Sequence, residues 1–377
     1  MSRRRGFGME KKMGRGVFFK TAGSWSLAAA GVLTGCGRIG FEPPSPTELP
    51  RPEAQGLVSR SAESLYWPHE KEGAWFNPWW PSPNRFGAFL KWKFYYRNPY
   101  LAEKSRSPRV ARTENDGAYL SKPEPSASIA WVGHCTFVVK EGADTFVTDP
   151  HFGERALLYD RVHPPGLPVE RIPGDAFCVL SHNHYDHMDE WTVKTLPESV
   201  QWYVPRGLGK WFRERGRRVK EMDWWQSARR GKWKITCLPV QHWSNRFWMP
   251  RNGSLWCAWL IESDRRKYFF GGDSGYFHGF AEFGKKFGPI DVAMLPIGAY
   301  EPRWFMRYAH MNPSEAYRAF KELRARWMVP MHWGTFDLTD EPVDAAPAVL
   351  RRVISESGGG MDKIRLMAIG EQLKLGL

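Results

Sequence analysis

The densest chemistry in this chain is the run Ser181-His182-Asn183-His184-Tyr185-Asp186-His187, in which four potential metal ligands fall within six positions. In an extended turn, residues two apart face the same way, so His182 and His184 can grip one cation while Asp186 and His187 project toward a second. Imidazole and carboxylate donors without thiolate favour zinc, with iron and manganese as further options. Two such ions about 3.5–4 Å apart could polarise a phosphoryl oxygen and hold a hydroxide at neutral pH.

Donors this close together need rigid elements to present them. The run directly follows the strand-like Cys178-Val179-Leu180, and short strand-like runs dominate from Ser128 onward: 129–139, 145–148, 177–181, 202–204, 234–240, 255–261, 268–270, 292–296, 327–330 and 364–369. Several are apolar on both faces, the pattern of sheets covered by other layers. The clearest helix starts at Asn312-Pro313-Ser314-Glu315, where Asn312 can cap, Pro313 suits the first turn and Glu315 can complete a capping box. Ala316, Ala319, Phe320 and Leu323 then recur at helical spacing. Strands and helices alternate in two blocks, which predicts an α/β layered body. Residues 61–125 are aromatic and Pro-rich without clean periodicity and read as an irregular N-terminal cap. A chain of 377 residues with 42% hydrophobic and 15% aromatic content has ample core, which excludes disorder throughout. No apolar run reaches the ~18 residues of a spanning helix, which excludes a polytopic membrane protein. Nothing repeats at a fixed period, which argues against a solenoid.

The H-x-H-x-D-H run resembles the signature of the metallo-β-lactamase superfamily. That resemblance implies a four-layer αββα sandwich, here over residues 126–377, with metals between the edges of two sheets. The superfamily pattern also asks for a later His, an Asp and a final His, each after a strand. His242 follows 234–240, Asp273 follows 268–270 and His332 follows 327–330. By that pattern His182, His184 and His242 bind one zinc ion, Asp186, His187 and His332 bind the other, and Asp273 bridges, a carboxylate having two oxygens to share.

Longer matches are similar to the N-acyl-phosphatidylethanolamine-hydrolysing phospholipase D family. They include Trp131-Val132-Gly133-His134, Thr148-Asp149-Pro150, Asp223-Trp224-Trp225, Gln241-His242-Trp243, Phe287-Gly288-Pro289, Ile297-Gly298-Ala299-Tyr300-Glu301-Pro302-Arg303-Trp304-Phe305-Met306 and His332-Trp333-Gly334-Thr335-Phe336. The family implies hydrolysis of a membrane phospholipid to an N-acylethanolamine and phosphatidic acid by a metal-bridging hydroxide, oriented by Asp186 and Asp273. His310, just before the Asn312 cap, is the candidate to contact the phosphate or protonate the leaving alkoxide. His134 is expected to support a ligand without being one. Arg303 and Arg307 could meet lipid phosphates or be solvated, and the aromatic stretch Trp75 to Tyr100 could line an acyl channel or be packing. Two rivals are another hydrolase of the same fold, such as a sugar-phosphate lactonase or nuclease-like phosphodiesterase, and a metal-binding envelope lipoprotein without catalysis.

The formal charge is +14, but seven basic residues against Glu10 fall within the first 35, leaving +8 for the remainder. No Lys/Arg tract interleaved with aromatics marks a nucleic-acid groove, so nucleic acid is not an expected partner, whereas a membrane surface is. The first 36 residues have the order of a secretory signal, basic and then apolar, ending in Leu33-Thr34-Gly35-Cys36. That end resembles a bacterial lipobox, which implies an exported lipoprotein anchored in the cell envelope through Cys36. Residues 37–60, rich in Pro, Glu and Ser, read as a disordered tether. Cys135, Cys178, Cys237 and Cys257 lack metal-type spacing and look like small buried residues in strands.

Overall fold

The computed structural model describes residues 59–82, 86–122 and 124–376. The expected secretory signal, the expected lipobox with Cys36 and nearly all of the expected tether lie outside them. Two sheets make up the body. The first contains β1 (Glu124–Gly133), β2 (Thr136–Gly142), β3 (Asp144–Thr148), β4 (Phe177–Val179), β5 (Gln201–Pro205), β6 (Arg218–Met222) and the last strand, β13 (Gln372–Leu375), in the order β6-β5-β4-β3-β2-β1-β13. The second runs β7-β8-β9-β10-β11-β12, from Ser227–Arg230, Trp233–Leu238, Ala258–Glu262, Lys267–Phe270, Ile290–Pro296 and Ala325–Met331.

Alternation along each strand sends successive side chains to opposite faces. On the first sheet Ile129, Trp131, Phe137, Val139, Phe146 and Phe177 join the core shared with the second sheet. Their neighbours Ala130, Val132, Val138, Val147 and Cys178 face a separate outer core. That outer core is closed by residues of α2 (Glu190–Thr195) and α3 (Gly209–Arg213), among them Val193 and Phe212; α1 (Phe86–Leu90) belongs to the N-terminal segment. The second sheet is covered by α4 (Gly279–Phe287), α5 (Pro313–Glu322) and α6 (Ala346–Glu356), so the strands are apolar on both faces because both are buried. This is the expected αββα sandwich. The Asn312 capping box of α5 forms as the spacing predicts, its side chain accepting from Glu315 N while Glu315 reaches back.

Three expectations need correction. The run 129–139 is two strands, broken by a turn at His134-Cys135 where Gly133 and His134 take φ of +126° and +52°. Residues 364–369 are not a strand; the closing strand is Gln372–Leu375, antiparallel to β1. β6 and β7 escaped the pattern because they are edge strands, whose charged residues guard an exposed rim.

The segment before β1 is irregular, but only part of it is a cap. Trp75 and Trp79 are buried, and Asn77 donates from Nδ2 to the His242 carbonyl (2.9 Å) and the Tyr308 hydroxyl (2.8 Å). This stretch is a wedge beneath the second sheet's loops. Among the described residues of this segment, α1 and the π-helical turn Lys91–Tyr95 after it are the parts that reach the cleft described below. No helix among the described residues is long and apolar enough to cross a membrane.

Candidate metal centre

The donors gather at one end of the sandwich, and each leaves from a strand end. Ser181 to His187 follows β4, His242 follows β8, Asp273 follows β10 and His332 follows β12. His182, His184 and His242 form one group, with His182 and His242 buried and His184 partly exposed: His182 Nε2 and His242 Nε2 lie 2.9 and 3.2 Å from His184 Nδ1. Outer contacts fix the rings, His242 Nδ1 lying 3.0 Å from the Ala309 carbonyl and His182 Nδ1 lying 2.9 Å from Ser181 Oγ. A second group joins Asp186, His187, Asp273 and His332. Asp273 Oδ2 is 3.0 Å from His332 Nε2 and 3.2 Å from His187 Nε2, and within 3.9 Å of His182 Nε2 and 3.8 Å of His242 Nε2. It is therefore the residue that faces both groups. Gly272 makes its approach feasible: φ is +54°, and a Cβ there would stand 2.6 Å from Ser181 Cβ.

The two groups differ electrically. Burial and the neighbouring imidazoles push His182 well below its ordinary pKa, and burial takes His184 to about 4 and His242 to about 3, so these three are neutral with lone pairs to offer. In the other group burial disfavours charge, but the carboxylates outweigh it: Asp273 and Asp186 lift His187 well above its ordinary value and His332 to about 9. Asp186 and Asp273 are in turn held well below the carboxylate range, burial being outweighed chiefly by His187. His184 Nε2, His187 Nε2, His332 Nε2 and Asp273 Oδ1 are buried without a hydrogen-bond partner. Unpartnered buried donors and acceptors are costly, and cations at this convergence would satisfy them. The donor set fits a pair of divalent metal ions; binding would expel the imidazole protons.

His134 Nε2 lies 2.9 Å from Asp186 Oδ2. His310 lines the cleft above the donors, with Nδ1 at 3.7 Å from Asp273 Oδ2. Arg303 is partly buried and engaged within the protein: it donates to the His310 carbonyl (2.7 Å) and to Glu315. It ties the His310 turn to the start of α5. Arg307 is half-buried.

Sequence reasoning missed two supporting residues. Asp149, after β3, accepts from His187 Nδ1 (2.6 Å), Ser181 Oγ (2.5 Å) and Ser181 N (2.6 Å). Its signal was its place just past a strand end, the kind of position the candidate ligands also take. Arg246 is buried and donates from Nη1 to the carbonyls of Asn183 (3.0 Å) and Met188 (2.8 Å), clamping both sides of the ligand turn. No local pattern pointed to it.

A cleft of about 560 Å³ opens onto the donors. His184, Asp186, Asp273 and His310 lie along it, while Phe89, Trp92, Leu157, Phe305 and Met306 make its walls apolar.

Among known proteins, the beta-lactamase superfamily domain matches residues 144–333, half of the chain. N-acyl-phosphatidylethanolamine-hydrolyzing phospholipase D 1 of Caenorhabditis elegans is 40% identical over 227 residues, covering 55% of this chain and 64% of the relative. The mitochondrial N-acyl-phosphatidylethanolamine-hydrolyzing phospholipase D of Saccharomyces cerevisiae is 31% identical over 259 residues, covering 64% of this chain and 54% of the relative. The chain thus spans less than two thirds of the length of these curated relatives. The solved structure of Igni18, a metallo hydrolase from Ignicoccus hospitalis, superposes with a TM-score of 0.53 at 21% identity, covering 67% of this chain and 99% of that one, a likeness of fold. Together with the four-layer sandwich and its strand-end donors, the match over half its length establishes that this chain belongs to the beta-lactamase superfamily.

Proposed function

We propose that this chain is a zinc-dependent phosphodiesterase that hydrolyses N-acyl-phosphatidylethanolamine to an N-acylethanolamine and phosphatidic acid. The observation that carries the reading is the cleft: its floor holds phosphate-seeking donors and its walls are apolar, which suits a lipid whose charged linkage and acyl chains must be bound together. The names of the two curated relatives support the same substrate. His182, His184 and His242 would hold one zinc ion and Asp186, His187 and His332 the other, with Asp273 available to both, and ions bound there would supply Lewis-acid polarisation of the phosphoryl group and lower the pKa of water. The chain's own part is positional. Asp149, itself anchored by Ser181, holds His187, His134 holds Asp186, and the Ala309 carbonyl holds His242. His310 faces the substrate side, placed to hydrogen-bond a phosphoryl oxygen or give a proton to the leaving alkoxide. The apolar walls keep bulk water from the linkage, which strengthens every electrostatic contact at the floor.

The test is release of N-acylethanolamine from N-acyl-phosphatidylethanolamine in mixed micelles by the zinc-loaded protein, beside a chelated control. Metal-dependent release is expected. A protein that holds two ions and releases none refutes the substrate assignment. The reading extends to a membrane-bound enzyme, exported and anchored through Cys36. Cys36→Ser should move the protein to the soluble fraction, and unchanged membrane association would sink the anchor.

A further inference from the structure

We infer that Cys135 adds a soft donor to the second half of the metal centre: with His134, His187 and His332 it forms a three-imidazole, one-thiolate site for a thiophilic divalent cation such as zinc, cobalt or cadmium. The site overlaps the oxygen-rich group of Asp186, His187, Asp273 and His332, sharing two imidazoles with it, and it rests on the metal-centre reading above.

Three observations carry it. One ligand atom from each of His134, Cys135, His187 and His332 lies within 4.8 Å of the others, and all four residues are buried. In this group His134 Nδ1 has no hydrogen-bond partner, and His187 Nε2 and His332 Nε2 have ion-pair contacts with the Asp273 carboxylate (3.2 and 3.0 Å) but no aligned hydrogen bond, although each of the three residues is no more than 2% exposed. With His134 donating through Nε2 to Asp186, its Nδ1 is a buried lone pair that lacks a partner within the protein. Finally, the backbone holds the thiol where it is. Cys135 occupies the tight β1–β2 turn with His134 at φ +52°, its carbonyl accepts from Thr148 Oγ1 (2.8 Å), and the His134 amide donates to Thr335 Oγ1 (2.6 Å). A positive φ at a non-glycine residue persists only where the surroundings enforce it. The other described cysteines, Cys178, Cys237 and Cys257, join no such group.

The chemistry follows from donor softness. Carboxylate-rich shells suit manganese and magnesium as well as zinc, whereas a thiolate discriminates for zinc, cobalt and cadmium. On ligation the S–H bond is replaced by an S–metal bond and the proton leaves to solvent, so no oxidant or reductant is involved. The second ion therefore has a choice of shell, and the choice depends on which metal the protein meets.

Cobalt(II) reports the difference without reference to turnover. The full chain loaded with saturating cobalt(II) should show visible ligand-field bands together with a near-ultraviolet thiolate-to-cobalt charge-transfer band. Cys135→Ala and the near-isosteric Cys135→Ser should lose the charge-transfer band and keep the ligand-field bands, while Cys237→Ala should keep both. Ligand-field bands without charge transfer in the unmodified protein, or a charge-transfer band that survives Cys135→Ala, overturn the thiolate site and leave the metal centre standing. A chain that takes up no cobalt overturns both readings. Should neither Cys135 variant fold, cadmium NMR of the unmodified protein decides the matter. A resonance at the field expected of nitrogen and oxygen ligands alone refutes the thiolate, and one shifted downfield by sulfur supports it.

Discussion

Replacing Asp149 by Asn preserves the shape of the side chain while removing its capacity to accept three hydrogen bonds. Burial raises the Asp149 carboxyl, and the hydrogen bonds from His187 and Ser181 pull it back. Three donors converge on its two oxygens: Ser181 N on Oδ1, and Ser181 Oγ with His187 Nδ1 on Oδ2. An amide offers one oxygen and one NH2 group, so one end must fail. If the NH2 takes the Oδ2 position it faces His187 Nδ1, which must then present a lone pair and carry its proton on Nε2, where an ion needs to bind. Losing the orienting partner of a ligating His costs about 10–100-fold in metal affinity, or ~1.4–2.7 kcal/mol. If the NH2 instead takes the Oδ1 position, it meets the Ser181 amide donor head to head in a fully buried place, costing about 1–3 kcal/mol of fold stability. The first arrangement spares the fold, so the loss should appear in metal binding. Competition with a chromogenic chelator would read the affinity of the weaker ion, and product release against free metal would read activity. The half-saturating metal concentration should rise while the plateau recovers. A folded Asp149→Asn protein with unchanged metal affinity refutes the reasoning, and unchanged affinity with a depressed plateau would place Asp149 in the reaction itself.

Asp273→Asn should lower metal content and activity together, by more than the ~10–100-fold expected of an orienting residue, because Asp273 faces both donor groups; both ions retained with full activity would remove its bridging role. Phe146→Ala should cost about 3–5 kcal/mol in chemical denaturation, since Phe177, Trp233 and Tyr268 pack around that ring between the sheets, and a loss below ~1 kcal/mol would contradict the inter-sheet core. Phe89→Glu, on the cleft wall, should raise KM for long-chain N-acyl-phosphatidylethanolamine about tenfold, roughly half or more of the worth of burying an aromatic ring, while leaving a short soluble diester unaffected. Equal effects on both substrates would mean that the wall does not hold acyl chains.

Much of the centre was legible because its donors sit in short loops directly after apolar strands, where a type-and-order pattern survives in one dimension. His182 through His187, His242, Asp273 and His332 all have that placement, and the structure brings them together. The supporting residues were harder to see because their roles depend on strand order. Asp149 meets His187 only because β3 and β4 are parallel neighbours, which sets their ends side by side. Arg246 reaches the ligand turn across more than 50 positions of sequence, and Asn77 reaches His242 across 165. No periodicity encodes such contacts. The misplaced closing strand has a similar cause: residues 364–369 are apolar enough for a strand, yet β13, which pairs with β1, is the half-exposed stretch that follows. Burial, not pairing, shapes the local pattern.

The origins of the donors have a consequence for how the molecule holds together. His182, His184, Asp186 and His187 come from the first sheet, and His242, Asp273 and His332 from the second, so each half of the chain owns only part of either coordination shell. Ions seated there act as rivets through two plates. Their binding energy is available only while the sheets stay in register, and at a thousandfold excess over the dissociation constant each would add about 4 kcal/mol against separation. Chelation should therefore loosen the joint between the halves before it disturbs either sheet, and a substitution deep in the inter-sheet core can weaken metal binding without touching a ligand.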